Sequence, residues 1–201
     1  MKHIFIPVLL ILIAFSSCEK KQESKSETKA LSEAASETLI TEFKTLEDSL
    51  EQSWNQMIKA DDEKIDDVKR LLQEISFCKR YNVLTHDTLT KLVSVLKEQR
   101  YNRESLIDSK IIDKYDNLTD SLIAAVFKLT QATTEMESHD ITEKLVTDIN
   151  QANNDDLLKL RVNYDKWALK YNSFIEEHEA ELKTLGLAPG SLKKKPLFQI
   201  Q

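Results

Sequence analysis

The sequence predicts an all-α fold: an elongated, up-and-down antiparallel four-helix bundle in which two of the helices are long. Three observations lead there. Between Val8 and Leu185 the chain contains neither glycine nor proline, the residues that interrupt regular structure and that β-rich or α/β domains place at their turns. Its apolar side chains recur at threes and fours, the helical period, and no long segment alternates strictly as a strand would. A composition of 31% charged and 41% hydrophobic residues suits amphipathic helices packed along apolar stripes.

The first helix is expected from about Ala30 to Phe77. Phe43, Leu46, Leu50, Trp54, Met57, Ile65, Val68, Leu72 and Ile75 mark its stripe, with the acidic run "ADDEK" (60–64) in the middle. Trp54 and Met57 continue the Phe43–Leu50 stripe and are expected in the seam between helices. Lys79 and Arg80 follow, where positive charge suits a helix C-terminus. Leu89, Leu92, Val93 and Leu96 mark a second helix, with Thr85 or Asp87 as its cap. Ile112, Tyr115, Leu118, Leu122, Val126 and Leu129 mark a third. The fourth opens at "DITE", where Asp140 would cap and Glu143 would reach back. It continues through Leu157, Leu160, Tyr164, Ala168, Tyr171, Ile175 and Leu182.

At about 1.5 Å per residue, the first and fourth helices would each span roughly 70 Å. A single stripe cannot be buried alone, and short loops make sequential helices antiparallel neighbours, which gives the bundle. The competing arrangement is a long coiled-coil dimer; polar interruptions at Asp61 and Asn153 and shifts of register argue against it.

The ends of the chain carry a different message. Lys2 and His3 precede a twelve-residue apolar run, Ile4 to Phe15. That is the length of a signal-peptide core and too short for a bilayer of about 30 Å, which takes about 20 helical residues. The following "FSSC" resembles the bacterial lipobox, in which a diacylglycerol is attached to the cysteine sulfur, although Phe15 stands where that pattern prefers Leu. The expectation is a lipoprotein signal at 1–17, then lipidated Cys18 and a polar tether to residue 29. A helical domain at 30–185 and a C-terminal tail at 186–201 complete the chain.

The tract from Glu19 to Lys29 has no apolar side chain before Ala30, so it cannot bury surface. The expected location is the cell envelope, on a membrane outside the cytoplasm and facing the periplasm. The chain has 34 acidic and 28 basic residues; loss of Lys2 with the signal leaves 34 against 27, a net charge near −7. Such a chain is repelled by phosphate backbones, so nucleic acid is not an expected partner. With Cys18 acylated, Cys78 has no disulfide partner and is expected as a buried structural thiol.

The fourth helix carries a family resemblance. "RVNYDKWALKYNSFIEEH" (161–178) resembles the signature helix of LemA-family proteins, which pairs an Arg with a Tyr-Asn and a second Tyr-Asn seven residues on. Arg161, Tyr164, Tyr171 and Asn172 match; Asp165 replaces the first Asn, and His178-Glu179 replaces the Phe-Pro that ends the family's helix. The closing "KKPLFQI" is similar to the family's terminal pattern through Lys195, Pro196 and Phe198. "WNQMIKADDEKIDDVKRLLQEI" (54–75) resembles its first helix in pattern, so the resemblance spans roughly Asp48 to Ile200. It implies a four-helix bundle held at a membrane by its N-terminus, with no enzymatic activity established for the family as a class.

The physical reading of these residues runs alongside. Arg161, Tyr164, Ala168, Tyr171 and Ile175 share one helix face, where tyrosines bury their rings and keep a hydroxyl for a partner. Tyr164 and Tyr171 read as core residues before they read as a ligand site. A guanidinium on that face needs a carboxylate. Asp165 on the same helix, or Asp66 or Asp67 across the seam, are the expected acids. Beyond Pro189-Gly190 the tail is either free or, as the resemblance implies, folded back with Phe198 over the bundle.

Little in the sequence points to chemistry. His3, His86, His139 and His178 are scattered; His178 shares a face with Glu181, but the next ligand position is Leu182. Asp61, Asp62, Glu63, Asp66 and Asp67 read as helical surface, since calcium loops need glycine and carbonyl ligands. There is no glycine-rich phosphate loop and no nucleophile elbow. The chain is therefore expected to be no enzyme, with no cofactor and no metal. Its expected partners are a membrane, through the lipid on Cys18, and an unnamed envelope protein. Two functions compete: an interaction or scaffold module, and a ligand-binding or chaperone-like bundle that holds an apolar client in its seam.

Overall fold

The computed structural model describes residues 32–188 and 190–198; Cys18, the segments 1–17 and 18–29, Pro189 and Ile200 lie outside them. The regular structure of the described residues is entirely helical, with no strand. Helix α1 is Glu33–Ser76, α2 is Val83–Leu96 and α3 is Ser109–Ala132. Helix α4, Asp140–Gln151, passes through a π turn at Ala152–Asp156 directly into α5, Leu157–Thr184. Counted through that turn, the described residues form four main helices, two of them long, with short 3-10 turns in the connections. No described helix is long and apolar enough to cross a membrane.

Local chemistry sets most boundaries. The Ser32 hydroxyl caps α1 by accepting the Ala35 N–H at 3.3 Å, a bond worth about 1 kcal/mol. At the other end the Phe77 and Cys78 N–H groups turn back to the carbonyls of Glu74 and Ile75. Its 44 residues span about 66 Å.

Two expected caps are corrected. Neither Thr85 nor Asp87 caps α2; Asn82 does, because its extended backbone lets the side chain accept the Thr85 N–H at 3.0 Å. Asp140 does not cap the fourth helix. It is the first helical residue, and His139 holds the cap position without a side-chain bond, since its ring is turned toward Glu74. The Asp140 and Glu143 carboxylates instead lie in the first turn, where negative charge suits the dipole.

Helix α5 ends at Gly186, whose φ of +86° only glycine adopts without strain. Its N–H reaches the Lys183 carbonyl, and Leu187 N–H reaches Leu182, the double closure of a glycine-terminated helix. One backbone irregularity precedes it: His178 is non-helical (φ −117°, ψ 15°), yet the helix resumes beyond.

The core is the stripe of α1 (Phe43, Leu50, Met57, Ile65, Leu72 and Ile75, all buried) closed by facing residues of the other helices. Burying each such side chain contributes about 1.5–3 kcal/mol. Contacts between α1 and the α4–α5 helix run in opposite sequence directions: Phe43 meets Tyr171, Trp54 meets Tyr164, Lys64 meets Asn153, and Glu74 meets His139. Pairs from α1 to α2 and the turn after it descend likewise, Leu72 with His86 and Asp66 with Lys97, and those from α3 to the fourth helix join Asp116 to Arg161 and Asp120 to Asn153. Leu92 departs from its expected place in the α2 stripe and is exposed; Leu89, Val93 and Leu96 suffice to close that interface.

Candidate functional site

The residues singled out on the fourth helix converge on the C-terminal tail. Tyr164 and Tyr171, both wholly buried, stand two turns apart on α5 and point their hydroxyls the same way. Tyr164 donates to the Pro196 carbonyl at 3.3 Å, and Tyr171 donates to the Ser191 carbonyl. Asn172 grips the backbone of Lys195 twice: its amide nitrogen donates to the carbonyl at 2.8 Å, and its oxygen accepts the N–H at 2.7 Å. Asp165 accepts the Phe198 N–H at 2.8 Å. The Lys195 ammonium rests over the Tyr171 ring, 5.2 Å from its centre. Five side-chain bonds from one helix face thus tie an irregular segment whose own backbone groups lack a ladder.

Phe198 is the plug at the end of this tail, 5% exposed. Its ring centre lies 5.4 Å from Tyr101, 5.6 Å from Tyr164 and 6.4 Å from Trp54, spacings at which aromatic pairs contribute about 0.5–1.5 kcal/mol beyond burial. Trp54 is half-buried because this aromatic cluster, rather than the helix seam alone, covers it; Met57 is fully buried.

Arg161 sits at the junction of cluster and helices, its guanidinium 5.3 Å from the ring centres of both Tyr101 and Phe198. Its expected acids are corrected. Asp165 faces the tail, and Asp66 pairs with Lys97 at 3.2 Å; neither Asp66 nor Asp67 reaches Arg161. The partner is Asp116 of α3, forked at 2.7 Å to both terminal nitrogens, and Arg161 also donates to the Tyr101 hydroxyl at 3.0 Å. Burial works against the guanidinium charge, but the bonds to Asp116 and Tyr101 outweigh it and raise its pKa further. Burial pushes the phenols of Tyr101, Tyr164 and Tyr171 up to about 12, so all three stay protonated donors at neutral pH.

A second polar cluster corrects the surface reading of the acidic run at Asp61, while Glu63 and Asp66 are exposed as expected. Asp61 and Lys64 are 2% and 3% exposed. Lys64 Nζ lies 3.0 Å from Asp61 Oδ1; Arg100 Nη1 at 3.0 Å and the Tyr115 hydroxyl at 2.5 Å donate to Oδ2. Burial alone would raise the Asp61 carboxyl, but Lys64, Tyr115 and Arg100 outweigh it and hold the pKa below the usual carboxylate range. Lys64 also donates to Asn153 at 3.2 Å, and Asn153 donates to Asp120 at 2.8 Å. Asn153 belongs to the π turn, an insertion that often marks a side chain drawn out of the regular helical ladder. A polar pocket of about 240 Å³, bordered by Lys64, Asp116, Asn153 and Arg161, opens beside it.

A signal for Asp61 was present in the sequence, because it stands four residues after Met57 and four before Ile65, on the stripe itself. Asp116 and Tyr101 carried no such signal. Tyr101 lies in the connection between α2 and α3, and Asp116 faces Arg161 only once α3 and α5 are packed. Of the other described histidines, His178 meets Glu181 one turn on at 3.1 Å, and His86 meets the Leu72 carbonyl of α1 at 3.0 Å. Among the described residues no group of three or more His, Cys, Asp or Glu side chains is placed to hold a metal ion. Cys78 is buried and unpaired.

One apolar groove stands apart from these clusters. It lies between α3, the turn at Thr134–Ser138 and α4, has a volume of about 420 Å³, and is lined by Phe127, Met136 and Val146 with Thr142. Comparison of the chain with protein-family profiles, with curated proteins and with solved structures finds no match to any of them.

Proposed function

We propose that this protein is a LemA-like, lipid-anchored, non-catalytic interaction module of the bacterial cell envelope, built as an up-and-down four-helix bundle and tethered through Cys18. One observation carries the reading. The terminal guanidinium nitrogens of Arg161 and the side-chain polar groups of Tyr164, Tyr171 and Asn172 are bonded to Asp116, Tyr101 and the backbone of the tail. Residues that would be the natural candidates for a ligand site are used to hold the molecule closed, which leaves partner recognition to the outer helix faces. Opposed contact directions between sequential helices support the up-and-down arrangement. The apolar run ending in "FSSC" supports the anchor.

The groove between α3 and α4 favours a second reading, a bundle that holds a small apolar client. Its apolar surface, with hydroxyls, amides and the carboxylates of Glu137 and Glu143 among the lining residues, has the mixture of an apolar wall and a few polar groups that small-molecule sites use. The primary test is palmitate labelling of cells expressing the full chain. Label is expected on the wild type, and Cys18→Ser should carry none and accumulate as precursor. Equal labelling of the variant would sink the anchored reading. Fluorescent fatty-acid titration of the wild type and Val146→Glu separates the two functions: saturable binding lost in the variant favours the client-binding bundle.

A further inference from the structure

We propose that the polar pocket between α1, α3 and the π turn binds a small zwitterion, an α-amino acid held by both of its charges. Lys64 of α1, Asp116 and Asp120 of α3, Asn153 of the turn and Arg161 of α5 line it, with Leu158 as an apolar wall. Two features set it apart from a solvent-filled gap between helices. The first is Lys64. An ammonium has three donors, and Asp61 Oδ1 at 3.0 Å and Asn153 Oδ1 at 3.2 Å meet two of them. Among the described residues no acceptor meets the third, although the side chain is 3% exposed. A buried donor is costly to leave without an acceptor, and the pocket beside Lys64 is where one can enter. The second is the π turn at Ala152–Asp156, a bulge of the kind that is frequent at functional sites. It sets Asn153 among three helices, accepting from Lys64 of α1 and donating to Asp120 of α3 at 2.8 Å. One N–H of that amide remains for a ligand.

The charges choose the class of ligand. Lys64 and Arg161 are positive, while Asp116 and Asp120, one turn apart on α3, are negative. A purely anionic ligand would face two carboxylates, and a purely cationic one would face two cations. A zwitterion meets both: its carboxylate accepts the remaining donors of Lys64 and Asn153, and its ammonium donates to Asp120, with Asp116 beside it. The terminal nitrogens of Arg161 are taken by Asp116 and Tyr101, so Arg161 holds the Asp116 wall in place and adds charge rather than a bond. The scale agrees as well. A single amide, that of Asn153, reaches from Lys64 to Asp120, and one carbon separates the two charged groups of an α-amino acid. Lys64 is buried whereas Asp120 and Leu158 are exposed, so the carboxylate lies inward, the ammonium lies at the mouth, and a short side chain rests on Leu158. A volume of about 240 Å³ is smaller than the sites that take drug-sized molecules.

This site depends on neither the lipid anchor nor the apolar groove, so its failure would leave the palmitate result untouched. The test is isothermal titration calorimetry of the full chain in detergent micelles with L-alanine. Propionate and ethylammonium, which are L-alanine stripped of one charge each, are titrated in parallel. L-alanine is expected to saturate one site per chain, with each single-charge analogue weaker by about tenfold or more through loss of its charged hydrogen bonds. Asp120→Asn keeps an oxygen to accept from Asn153 and should leave far-ultraviolet circular dichroism unchanged. It should weaken L-alanine by about tenfold or more and leave propionate, which has no ammonium, as tightly bound as before. Absence of saturation by L-alanine overturns the proposal and leaves a water-filled pocket. Propionate binding as tightly as L-alanine overturns it too, as does unaltered L-alanine affinity in Asp120→Asn.

Discussion

Arg161 and Asp116 should be coupled by about 2 kcal/mol, between the 0.2–1 kcal/mol of an exposed pair and the 3–5 kcal/mol lost when a buried pair is broken. The geometry sets that intermediate value. The pair is forked at 2.7 Å on both oxygens, the strong form of an ion pair, but the side chains are 15% and 36% exposed. The two single changes should differ. In Arg161→Met the orphaned Asp116 carboxylate reaches water and the methionine still packs on Tyr101 and Phe198, for a cost of about 2 kcal/mol. In Asp116→Ala the guanidinium stays charged against two aromatic rings, for a cost of about 3 kcal/mol.

Urea unfolding followed by far-ultraviolet circular dichroism at pH 7 gives all four corners of the cycle. Asp165→Ala serves as the control: it removes the acceptor of the Phe198 N–H and should be additive with Arg161→Met. Coupling to Asp116 below about 0.5 kcal/mol would refute the reasoning and return Arg161 to partner recognition. Coupling to Asp165 instead would show that the tail sits elsewhere.

Two further outcomes follow from the same clusters. Phe198→Ala should cost up to about 3 kcal/mol, the low end for a core Phe because a chain end can peel away. It should also shift Trp54 emission to the red and speed proteolysis after Gly190; unchanged emission and cleavage would mean the plug is not seated. Asp61→Asn should cost about 3 kcal/mol at pH 7, as loss of one partner of a buried pair. Because the folded pKa of Asp61 lies below its ordinary value, its stabilisation is complete above about pH 4 and is lost as pH falls through the folded pKa. The stability gap between wild type and Asp61→Asn should therefore narrow from pH 7 towards pH 3, and a gap that does not change with pH would rule out the charged network.

Helix content was readable from residues acting locally. The absence of glycine and proline from Val8 to Leu185, and a 3–4 spacing kept by Phe43, Leu50, Met57, Ile65 and Leu72, leave a helix as the conformation that gathers one apolar face. Gly186 ends the last helix by the freedom of its own backbone. The core side of Tyr164 and Tyr171 was legible too, since both lie on that periodic face. Partner choice was not legible in the same way. A charged side chain such as Arg161 has a reach of several ångströms, so its nearest acid along the chain, Asp165, competes with any acid that packing delivers. Packing delivered Asp116 and turned Asp165 to the tail. The same holds for Asp61, whose place on the stripe marked it for burial but gave no sign of Lys64, Arg100 and Tyr115 as its partners, and for Cys78 and His139, which meet in the fold and carry no mark of each other in sequence. Periodicity is a property of one helix and survives in the sequence, whereas a polar contact depends on the rotation and register of two helices together, and only the packed fold decides those.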